Sequence, residues 1–110
     1  MAMDRAPKHI KRALRDLAAA AHEEELRRAL LPLQAAFERW SRKELSSGEL
    51  CVEIHKFHQG PARKLFLRYN SGFLEPIAAH AIVTGLVDKA KVAPETLAYL
   101  ARAIRFYEEQ

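Results

Sequence analysis

Cys51, His55 and His58 fall three to four positions apart. On a helix that spacing stacks the side chains on one face, because residues three and four apart are surface neighbours. A thiol and two imidazoles so placed can ligate a metal, carry a proton or pair as nucleophile and base. They include the only cysteine and two of the five histidines of the chain. Zinc is the metal that suits these groups, and a tetrahedral site needs one ligand more. His80, isolated in an apolar segment, is the natural candidate. A buried imidazole must hydrogen-bond or ligate, since leaving it unsatisfied costs about 1–3 kcal/mol. The spacing is nevertheless unspecific. Structural zinc sites bring ligands in close Cys-x-x-Cys or His-x-x-x-His pairs, and this chain has a single cysteine. The plainer reading is a small buried cysteine beside two partly exposed histidines that cap polar groups, at the edge of a core stripe made by Leu50, Ile54 and Phe57.

Complete catalytic sets are missing from the pattern. No Gly-rich phosphate-cradling loop occurs, and no Glu-x-x-His of the di-iron type. His22-Glu23 lacks the second histidine of a metalloprotease helix. Ser41, Ser46, Ser47 and Ser71 read as helix-boundary residues. No nucleophile, base and oxyanion donor come together, so no catalytic residue and no cofactor are assigned.

A second constellation is basic. Residues 54–74 carry Lys56, Arg63, Lys64 and Arg68 and no acidic residue. Two short helices joined at Gly60-Pro61 would have the outline of a helix-turn-helix, with Arg63 and Lys64 near a recognition-helix N-terminus. Lys56 sits where the tight helix crossing wants a small residue, which argues for an αα-corner with a solvated basic edge instead.

The elements that position these groups read as helices throughout. Of 110 residues, nineteen are alanine, and only four glycines and five prolines interrupt the pattern. Residues 1–6 are expected to fray, and 7–110 to form a single helical domain. Ile10, Leu14, Leu17 and Ala21 make one apolar stripe. Leu26, Leu30, Leu33, Phe37 and Trp40 make a second, offset by one residue near 22–25. One long helix kinked at Pro32 explains both, with a split into two helices as the alternative. Ser46 and Glu49 have the spacing of a capping box. Gly60-Pro61 and residues 70–72 read as helix stops. A helix from Pro76 to about Val87 is apolar on all sides, which places it centrally. The last helix, 94 to about 109, is apolar over more than half its circumference once Tyr99, Ala103 and Phe106 are included.

These patterns predict an all-α fold, a compact bundle of about five helices. The formal net charge is +4 and the pI about 9.5, a mild bias for a nucleic-acid binder. A lone cysteine, the absence of an apolar leader and the lack of a long apolar span predict a cytoplasmic chain outside the membrane. The functional expectation is a non-enzymatic interaction or regulatory module, homodimeric, with Trp40, Tyr99 and Phe106 as interface candidates. Nucleic-acid binding through the basic patch, and metal or small-ligand binding at the Cys/His cluster, are its rivals.

Overall fold

A computed structural model describes residues 6–110. Most of the terminus expected to fray, residues 1–5, lies outside the described residues. Ala6, expected to fray with it, is instead buried. The fold is all-α, with no strand among the described residues. We number the helices α1 (Lys8–Ser41), α2 (Ser47–Phe57), α3 (Arg63–Tyr69), α4 (Leu74–Thr84) and α5 (Pro94–Glu108). A π-helical turn, His58–Ala62, joins α2 to α3 without a break. Residues 47–69 are therefore one rod, and the chain has four helices rather than about five.

Local chemistry explains the boundaries. α1 starts after Pro7, whose carbonyl accepts the Ile10 and Lys11 N–H groups at 3.0 Å each, and it runs through Pro32 as one helix. Its C-terminus closes as a Schellman motif. The Glu44 N–H donates to the Arg39 carbonyl and the Lys43 N–H to the Trp40 carbonyl, both at 2.9 Å. Lys43 takes the left-handed position, φ 63°, that glycine usually fills. The capping box forms as its spacing predicts: the Glu49 N–H donates to Ser46 Oγ at 3.1 Å, and the Ser46 N–H to Glu49 Oε1 at 2.9 Å. The Ser46 backbone N–H, and then the Ser46 hydroxyl, draw the Glu49 carboxyl below the ordinary carboxylate range.

The stop expected at Gly60-Pro61 does not occur. Phe57, His58, Ala62 and Arg63 all keep right-handed helical dihedrals. Proline cannot donate a hydrogen bond and its ring crowds the carbonyl four residues back, and widening the helix to a π turn accommodates both. The corner that a helix-turn-helix needs is absent from residues 49–70. At residues 70–72 the stop is real, with Gly72 at φ 86°. α4 begins two residues before Pro76 and ends at Gly85, φ 78°, so Leu86 and Val87 lie beyond it.

The chain divides into two units. One comprises residues 6–23 with Ser71–Gln110, the other Glu24–Asn70. The boundary within α1 falls where its apolar stripe shifts by one residue. In the first unit the stripe is covered: Ile10, Leu14 and Ala21 are buried, and Leu17 packs on the core. α4 supplies Ala78, Ala79 and Ile82, and α5 supplies Leu100 and Ile104. Small alanines on α4 let the helices approach closely, which is how a core with few aromatics fills. His9 on α1 and Glu95 on α5 pair at 2.7 Å, both well exposed.

The core of this unit turns on Leu14 and Leu100, each fully buried. Leu100→Ala is expected to destabilise it by about 2–5 kcal/mol in urea unfolding. A loss below about 1 kcal/mol would mean the side chain is not enclosed.

Candidate interaction surface

The second unit is a helical hairpin. Residues 24–41 of α1 turn back at 42–46 into the α2–π–α3 rod. Polar contacts clip it at both ends. Near the turn, Trp40 Nε1 donates to Ser47 Oγ at 3.0 Å. At the far end the Glu25 carboxylate accepts from the Tyr69 hydroxyl at 2.8 Å and from Arg68 at 3.4 Å. The Arg68 guanidinium also lies 5.6 Å from the centre of the Tyr69 ring. Between the clips the apolar cover is thin. Only Ala36 and Leu50 are buried hydrophobic residues in this unit.

Exposure is concentrated here instead. Of the ten exposed large apolar side chains among the described residues, eight belong to Glu24–Asn70. Helix geometry gathers most of them on one side. Ala29, Leu33 and Ala36 face inward from α1, and Leu50, Phe57 and Leu65 from the α2–α3 rod. In two antiparallel right-handed helices, the residues that follow the inward-facing ones turn toward the same side of the pair. On α1 these are Leu30, the exposed polar Gln34 and Phe37, in line with the half-buried Leu26. On the rod they are Cys51, His58 and Phe66, in line with Ile54 and Ala62. Phe37 stands edge-on to Trp40, ring centres 6.5 Å apart, so the indole extends the row. Leu30, Phe37, Trp40, Ile54 and Phe66 are 38–61% exposed. The result is a two-row apolar face.

The predicted site residues fall unevenly on this frame. Cys51, His55 and His58 share a face as their spacing requires, but all three are exposed. Cys51 is not buried, and Ile54 of the expected core stripe is exposed as well, because a two-helix hairpin has no third element to cover that side. His80 belongs to the other unit, where its ring packs edge-on against Tyr107 at 5.3 Å. Among the described residues no three His, Cys, Asp or Glu side chains are arranged to hold a metal ion. Two of the four basic residues are paired internally: Lys56 with Glu53 at 3.6 Å, and Arg68 with Glu25. Arg63 and Lys64 are exposed and form no ion pair among the described residues. Of the interface candidates, Trp40 and Phe106 are exposed, whereas Tyr99 is half-buried against the core of its unit. The wide apolar face expected of α5 is mostly satisfied within that unit.

Sequence reasoning passed over the Glu25–Arg68–Tyr69 network, which joins residues more than forty positions apart. It also missed the groove that Pro32 and Pro61 flank with Ala29, Leu33, Glu53, Lys56 and Phe57. At about 200 Å³ that groove is smaller than the usual small-molecule site. No known protein family, curated protein or solved structure matches the chain.

Burial, and then the hydrogen bond to Glu25, push the Tyr69 phenol above the ordinary tyrosine range. A raised folded-state pKa contributes stability that is complete below the unfolded value, about 10, and is lost as pH rises beyond it. An absorbance titration at alkaline pH is expected to lose its last-titrating phenol in Tyr69→Phe. Loss of a phenol that titrates near the free value would contradict the clip.

Proposed function

We propose that this protein is a non-enzymatic interaction module that works through protein–protein contacts made by the hairpin 24–70. The observation that carries the reading is the imbalance in that unit: two buried hydrophobic residues against eight large exposed ones. An isolated pair of helices is marginal in water, because most helical stability comes from packing an apolar face. A face lined by Leu30, Phe37 and Phe66 with Trp40 at its end has the aromatic-rich, charge-poor character of an interface centre.

Other features support the same reading. Within the 54–74 basic patch, Lys56 and Arg68 are paired internally, which leaves Arg63 and Lys64, a short footprint for phosphate contacts. No helix among the described residues is long and apolar enough to cross a membrane. A single exposed thiol suits a reducing cytoplasm, where we place the protein.

Site-specific photo-cross-linking tests the proposal in cells expressing the protein. A photoreactive phenylalanine analogue at position 37 or 66 is expected to form adducts with protein, whether this chain or another. The same probe at position 102, on the exposed side of α5, is expected to form none. Equal yields from all three positions, or no adduct from 37 and 66, would refute it.

A further inference from the structure

We infer that the occupant of this face is a second copy of the same chain, and that two hairpins close a four-helix bundle across it. The inference rests on the interaction reading above and names its partner.

The shape of the face is suited to its own image. Its two rows run antiparallel and extend over similar lengths, 26–37 on α1 and 51–66 on the α2–α3 rod. A two-fold axis lying in the face sets each row against an antiparallel row of the partner, which is the layout of an up-down four-helix bundle. Along α1 the outward row is Leu26, Leu30 and Phe37 with Trp40 at its end, while Leu33 turns inward to the rod.

Charge allows the pairing. The hairpin carries an excess of basic residues, yet neither row contains Lys, Arg, Asp or Glu. Apposing two identical faces therefore brings no fixed like charges together. Area allows it as well. With their half-buried neighbours, the exposed side chains of the two rows present roughly 600 Å² per copy. A pair would remove about 1,200 Å² from water, the lower end of stable specific interfaces.

Light scattering on the eluting full-length protein reads the outcome. At about 100 µM, well above micromolar dissociation constants, the mass is expected to be twice the 12.5 kDa of one chain. Leu30→Glu and Phe66→Glu are each expected to raise the dissociation constant about 100-fold, as charging the centre of an apolar interface does. Phe37→Ala, a milder truncation that leaves the helix intact, should raise it about 10-fold. Val52→Glu and Phe106→Glu, off the face, should leave it unchanged. Retained cooperative melting of each variant separates dissociation from unfolding. A wild-type monomer at that concentration overturns the self-partner, and cross-links from positions 37 and 66 then decide the interaction reading separately. A dimer that Phe106→Glu dissociates, or that folded Leu30→Glu and Phe66→Glu leave intact, overturns the proposed face.

Discussion

An amphipathic helix must cover its apolar side, and in this chain one helix carries two such sides with unequal cover. Over residues 8–23, α1 lays Ile10, Leu14 and Ala21 against the alanine-rich surface of α4 and against Leu100 and Ile104 of α5. Over residues 24–41 its stripe, displaced by one residue, has within its own unit a single other rod to pack against. The first unit covers most of its apolar surface within itself, leaving Phe73 and Phe106 exposed. The hairpin keeps Leu30, Phe37, Trp40, Ile54 and Phe66 in water, and the functional reading follows from that cost.

What holds the hairpin in register is polar rather than apolar. Trp40 meets Ser47 at the turn, and Glu25 gathers Arg68 and Tyr69 at the open end. Between these clips, the Schellman closure at Lys43 and the Ser46–Glu49 capping box set where α1 stops and α2 starts. The π turn at residues 58–62 lets the second rod pass Pro61 without a corner. Continuity of the helix matters for the surface. A corner at Gly60 would have broken the row that runs from Cys51 through Ile54 and His58 to Phe66.

Local signals made much of this fold legible. The capping box, the stop at residues 70–72 and the Pro94 start of α5 each depend on neighbours in sequence. The offset between the two stripes of α1 was visible too, but it reads as a unit boundary only when the partners of each stripe are known. Gly60-Pro61 misled because a glycine and a proline together resemble a stop, whereas here glycine keeps a helical backbone and proline is absorbed by a wider turn. The candidate site was less legible. The Cys51, His55 and His58 spacing correctly places them on one face, yet periodicity cannot say whether that face is buried. Nor can it show that Tyr99 turns to a core while Phe106 stays in water.

On this reading the hairpin depends on a partner for cover that the other unit largely finds within itself. Hydrogen exchange measured over a range of protein concentrations tests it directly, since protection gained by association follows mass action. Amide protection over residues 26–40 and 50–66 is expected to rise with concentration, while that of α4 and α5 stays constant. Protection of the hairpin that equals the core of the other unit and does not change with concentration would contradict it.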